Sequence, residues 1–243
     1  MFLIFDSFTD IRLQVLMSTI FGIVLCSFGE HAIHRHVMHR RRLSAWLYRA
    51  VPELKVLFHN HAVMHHGKYY ATFDHEPNPA GKFFNLRITW KDTAHLVLLF
   101  TPILIALWFL VSPLPAVILL ALLIGQNLAW SAAHVQMHVP DSNRWFHETA
   151  YFRFIARHHF MHHQFSTKNY NVVLPIADFI LGTTAKPRLR DVREMLRLGY
   201  LRPRTEAGRR LYRSQHRADP VVVRIEPIAT NTTACADAQG GLS

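Results

Sequence analysis

Residues 96–133 read LVLLFTPILIALWFLVSPLPAVILLALLIGQNLAWSAA, 38 positions without a charge or a histidine. At ~1.5 Å of rise per residue this is nearly twice what one bilayer crossing needs. Ser112-Pro113-Leu114-Pro115 stands at its middle. Two prolines that close together break a helix and favour a turn. The stretch therefore predicts a helical hairpin, roughly 94–111 and 116–138.

Upstream, Leu13–Gly29 is a further 17 residues without charge, at the lower limit for a membrane span. Asp6 and Asp10 precede it and no basic n-region does, so it reads as a retained span rather than a cleaved signal. The expected fold class is all-α: an integral-membrane helical fold of about three spans, one N-terminal helix plus the hairpin. Ten basic residues, from Arg35 to Lys91, separate the first span from the second, whereas only Arg12 precedes the first. The positive-inside rule then places residues 30–93, and everything after about 134, in the cytoplasm.

The rest of the chain is organised around these spans. Residues 144–158 are mixed aromatic and basic and are expected to form an interfacial helix. The apolar run in 172–185 is too short to cross, which leaves it in the interface or packed on the rest of the domain. Residues 1–185 are expected to form one membrane domain, followed by a basic amphipathic membrane-surface segment, 186–218. There Asp191-Val-Arg-Glu194 reads as a helix start, with Leu189, Val192 and Leu196 along one face that suits an anionic leaflet. The small, polar tail 219–243 is expected to be disordered. Cys26 and Cys235 form no CxxC, which speaks against a disulfide framework and a thiolate zinc site. Nucleic acid is not an expected partner of the basic segment, because the chain is already committed to a membrane.

Half of the chain is hydrophobic and its formal charge is +11, yet its 18 histidines outnumber its 16 acidic residues. Fourteen of the histidines fall in four short clusters, three outside the expected spans and one on the cytoplasmic end of the hairpin's second helix. These are His31/His34/His36/His39, His59/His61/His65/His66, His134/His138, and His158/His159/His162/His163. Residues three or four apart on a helix share a face. His61 with His65, His134 with His138, and His159 with His162 and His163 therefore read as chelating sets. Adjacent His65 and His66 point apart and suit two metals side by side. His34 and His39, five apart, cannot share an α-helical face squarely. Neighbouring protonated imidazoles repel, and a shared cation removes the problem by selecting the neutral form. HExxH is absent, and about ten nitrogens exceed what one metal needs.

Written as HxxxxH, HxxxHH, HxxxH and HxxHH, the clusters resemble the histidine boxes of the fatty acid hydroxylase/sterol desaturase superfamily of membrane di-iron enzymes. Asn169-Tyr170-Asn171 resembles the NYG-type segment after the last box, with Asn171 in place of glycine. Asp178-Phe-Ile-Leu-Gly182-Thr183 resembles the closing D-x-x-x-G-T segment. The resemblance covers about 30–185. It implies a cytosolic di-metal site with His34, His39, His61, His65, His66, His134, His138, His159, His162 and His163 as ligands. Three residues separate His61 from His65 where two are more usual, so His59 and His61 compete for one position. His31, His36, His59 and His158 fall outside the boxes. His75, His95, His147 and His216 read as ordinary residues.

The resemblance further implies two iron ions, which zinc can replace on purification, and O2 as co-substrate. The expected activity is hydroxylation of a membrane lipid, foremost an acyl chain. A sterol-type or head-group oxidase or desaturase of the same superfamily is the alternative. A membrane metal-binding or transport protein is the alternative of another class. No HPGG segment of a fused cytochrome b5 domain is present, so a separate ferredoxin- or cytochrome b5-like protein is the expected electron donor.

Overall fold

The computed structural model describes residues 10–70, 73, 87–138, 144–203, 205–210 and 213. His75, His216, Cys235 and the tail 219–243 lie outside the described residues. All regular elements among the described residues are helical.

Helix α1 spans Ile11–Ile33, and Asp10 caps its start by accepting from Arg12 N at 2.9 Å. It does not end where the uncharged run ends. It continues through a π-helical turn, His34–Met38, closed by His39 N donating to His34 O at 3.0 Å. The span is thus longer than Leu13–Gly29 and carries the first histidine cluster on its own end. Helices α2 (Ala45–Ala50) and α3 (Glu53–Phe58) follow, and α3 runs on as a second π-helical segment, His59–Tyr69.

The hairpin is α4 (Trp90–Leu110) and α5 (Pro113–His138). Thr89 and Asp92 form a reciprocal capping box at the start of α4, which satisfies two otherwise orphaned donors. Both prolines of the turn fall at the start of α5, where a missing N–H costs nothing. Three helices, Ile11–Met38, Trp90–Leu110 and Pro113–His138, are long and apolar enough to cross a membrane. Their outward faces carry large bare side chains, such as Leu98, Phe109 and Leu128. Water would penalise such a surface and lipid does not. Inside the bundle a small cluster of Cys26, Phe100, Leu119 and Leu123 joins the three helices. Cys26 is a free, buried thiol.

Helix α6 (Arg144–His147) leads into α7 (Ala150–Gln164), capped by Thr149. The segment 144–158, expected as one helix, is divided between α6 and α7, and one face of α7 is spent on the protein's own core. Phe152, Ile155, Ala156 and Phe160 of α7 are wholly buried and form the main core with Trp130, Met137 and Val172. α7 is the central support of the histidine region. Helix α8 (Ile176–Ile180) packs on α1, while its Phe179 and Ile180, and Leu181 after it, are left bare. Helix α9 (Leu189–Arg197) begins three residues earlier than the acidic spacing indicated: Arg188 is the N-cap, and Asp191 reaches back to accept from Arg188 N at 2.8 Å. Met195 and Leu196 of α9 are buried, Val192 packs on the main core, and Leu189 points away. The apolar side of α9 is therefore spent on this protein's own core.

The chain divides into two compact units, the first ending at Arg202 and the second beginning at Pro203. In the second, Glu206 pairs with Arg209, Arg210 and Arg213 at 2.8–3.6 Å.

Candidate metal centre

Nine of the ten boxed histidines converge in two groups, each of which could hold a metal ion. His34, His39, His61, His66 and His162 form one, and His65, His138, His159 and His163 the other. The groups abut, with the His66 and His163 rings 4.1 Å apart. His134 is buried beside the second group, its ring 4.7 Å from that of His159 and 4.2 Å from Trp130, but belongs to neither.

Helix pitch decides who joins whom. In a π-helical turn the backbone closes from i to i+5, so residues five apart stack. His34 and His39 span such a turn, and so do His61 and His66. Both pairs enter the five-membered group. His61 and His65, expected to chelate together, are split between the groups. α7 keeps the ordinary pitch, so His159 and His163 stay together while His162 turns to the five-membered group. The single three-nitrogen face expected of α7 is thereby divided. His65 and His66 do face different groups, as their adjacency indicated. His59 is exposed and His61 fully buried, so the backbone brings His61 and not His59 to the site.

The donor set fits metal ions. In the first group the closest Nε2···Nε2 distances are 2.8 Å for His34–His61, 2.8 Å for His39–His162, 3.1 Å for His61–His39 and 3.2 Å for His66–His61. In the second they are 3.1 Å for His138–His159, 3.2 Å for His163–His159 and 3.3 Å for His65–His163. A metal about 2.0–2.1 Å from each nitrogen places neighbouring ligands about 2.8–3.4 Å apart, from right-angled to tetrahedral arrangements. Three of the rings have their tautomer dictated. The Nδ1–H of His34 donates to Tyr170 O, that of His162 to Lys168 O at 2.7 Å, and that of His163 to Tyr70 O at 3.0 Å. A carbonyl only accepts, so the proton sits on Nδ1 and Nε2 offers a lone pair. Lone pairs brought that close repel, and a metal ion placed between them would remove the repulsion.

Electrostatics agree. Burial, reinforced by neighbouring imidazoles, holds His61, His65, His66, His159 and His163 well below the ordinary histidine range. Burial and the adjoining His162 bring His39 to about 2. Burial brings His162 to about 4, although the Lys168 carbonyl and Asp178 pull the other way. At neutral pH these rings are uncharged and competent to bind metal.

The unboxed histidines diverge. His36 is half-buried, and His95 is exposed. His31 and His158 are buried on either side of Asp178, a carboxylate with no exposure. His158 Nε2 donates to Asp178 Oδ2 at 2.9 Å, and Thr183 Oγ1 donates to Oδ1 at 2.5 Å while lying 3.1 Å from His31 Nε2. Nothing in the spacing of His31 and His158 revealed that they meet there.

A cavity of about 430 Å³ opens among α1 to α5. Its lining is mostly apolar, with Cys26, Phe100 and Leu123, and Trp130 and His34 stand in its wall. His34 is thus common to the cavity and to the five-membered group. Comparison with protein-family models, curated proteins and solved structures finds no match to this chain.

Proposed function

We propose that this protein is an O2-dependent di-iron monooxygenase that hydroxylates a membrane lipid, with an acyl chain as the segment oxidised, after the manner of the fatty acid hydroxylase/sterol desaturase superfamily. The observation that carries the reading is the position of His34. One side chain belongs both to a cluster of metal-competent nitrogens and to the wall of an apolar cavity among helices long enough to cross a bilayer. A zinc structural site has no use for such a cavity, and a chain held there lies beside the metal-binding nitrogens.

Iron bound by the two groups would supply the reduction of O2, with electrons from a separate donor, and the power to break an unactivated C–H bond. The protein's part is positional. The three dictated tautomers hold nitrogen lone pairs toward the centre. Buried Phe100 and Leu123 receive an apolar chain and keep water from it. Arg40, Arg41 and Arg42 follow the histidine end of α1, which supports a cytoplasmic site by the positive-inside rule.

The test is expression of the intact chain and its His162→Ala variant, with an electron donor, under isotopically labelled dioxygen, followed by profiling of total lipids. The expected result is a labelled lipid with the intact chain and none with the variant. Loss of a hydrogen pair without label would move the reaction to desaturation. Unchanged lipids together with altered metal tolerance would replace the reading with metal transport.

A further inference from the structure

Five of the nine converging histidines form one group, and two of these five depend on a single loop. His162 donates to the carbonyl of Lys168 and His34 to that of Tyr170. No member of the four-membered group uses this loop in a described hydrogen bond; His163 leans instead on Tyr70 O, and the buried Nδ1 atoms of His65 and His159 have no hydrogen-bond partner.

The loop does not hold itself. Asn169, between the two carbonyls, sits at φ 56°, a left-handed conformation in which most residues are strained. Its backbone N–H donates to Thr183 O at 2.8 Å, and its side-chain oxygen accepts from Ala185 N at 2.6 Å. Its side-chain amide donates to His158 Nδ1 at 2.9 Å. That last bond requires His158 to carry its proton on Nε2, which is what Asp178 Oδ2 enforces by accepting from that atom. The same carboxylate oxygen accepts from Asn171 N at 2.7 Å, at the far side of the loop. The chain of command runs from Asp178 to His158 and Asn169, then to the two carbonyls, and from them to the Nδ1 protons of His34 and His162.

We propose that Asp178 is a positioning residue for the five-histidine group alone: through His158, Asn169 and Asn171 it sets the loop whose two carbonyls turn His34 and His162 toward the metal. The proposal rests on the reading that each histidine group holds a metal ion, and it adds that the two sites differ in how they are supported. Losing an outer partner of a metal-bound histidine weakens the metal by about 10–100-fold. Loss of Asp178 should therefore unload one site and spare the other.

The experiment uses the full chain in lipid nanodiscs, loaded anaerobically with ferrous iron and counted for iron per chain. The intact chain should retain iron in both groups. Asp178→Asn keeps the shape and removes the charge; it should lose iron from the five-membered group, leaving about half the iron at a concentration that saturates the intact protein. Asn169→Gly keeps the left-handed backbone, which glycine adopts freely, and removes both side-chain bonds; it should lose the same half. Adding His39→Ala to either variant should cost no further iron, while adding His159→Ala should empty the protein. Full iron with unchanged affinity in both variants overturns the proposal. So does a further loss on adding His39→Ala, because the damage is then general. If Asp178→Asn does not fold, Asn169→Gly decides by the same criteria. An intact chain that binds no iron refutes the metal reading itself, and the proposal falls with it.

Discussion

Two kinds of helix deliver histidines to one centre, and they pair by different arithmetic. In α7, at ordinary pitch, His159 and His163 four apart reach the same group and His162 reaches the other. In the π-helical segments the partners are five apart, His34 with His39 and His61 with His66, and His65 is turned away to the second group. At 3.6 residues per turn, residues five apart diverge by about 140°. The wider turn brings them back to one face. The lesson is that a histidine spacing has no meaning until the pitch of its helix is known. π turns within longer helices recur at functional sites, and here they decide which nitrogens meet.

Removing neighbours in sequence and removing partners in space should have different consequences. His65→Ala with His66→Ala should empty both groups and lower lipid product by more than about 100-fold, since loss of a mere outer partner already costs 10–100-fold. His65→Ala with His159→Ala strikes one group only and should leave the other's iron in place. Iron counting separates the two outcomes. If both pairs lose iron alike, the assignment by pitch is wrong.

A second effect concerns acid. In the metal-free chain the buried rings have folded pKa values below the ordinary 6.5, about 4 for His162. The unfolded chain then binds more protons below 6.5, so stability is full above that pH and is lost as pH falls toward 4. The melting midpoint of metal-free protein should decline through this window, and iron loading should oppose the decline, because the metal holds the rings neutral. A flat profile would show that the rings are not buried together.

A smaller effect is expected at Gly67, inside the second π segment. A Cβ there would meet only Ala62 O, at 3.5 Å, an ordinary contact. Gly67→Ala should therefore be neutral or stabilising, by about 0.5–1 kcal/mol, with both irons retained. Selective iron loss would show that this glycine is what holds the wide turn open. The smallest effect belongs to exposed His59, where alanine should change stability by less than about 0.5 kcal/mol and leave iron unchanged.

Much of this molecule was legible in its sequence. The uncharged run 96–133 with its two prolines announced the hairpin, because a span is a matter of length and apolarity alone. That the histidines would gather was also legible, since nine of the ten boxed residues converge. The partition was not, because it depends on π turns for which His34–Met38 and His59–Tyr69 carry no evident signal. The core role of α7 is hidden for a related reason: Tyr151 and Phe154 are exposed, while Phe152, Ile155 and Phe160, interleaved with them, face the core. The Asp178 lattice joins residues 31, 158, 169, 171 and 183, and no local spacing reports a meeting of that range.

Whether the two histidine groups hold a pair of irons that work together on O2 can be read by titrating the metal-free full chain with ferrous iron without air, then admitting dioxygen and following oxidation by Mössbauer spectroscopy. The expected result is saturation with one iron in each of the two groups, both oxidised together, and no paired oxidation in His162→Ala. A single iron per chain, or two that oxidise independently and at rates His162→Ala does not alter, would contradict it.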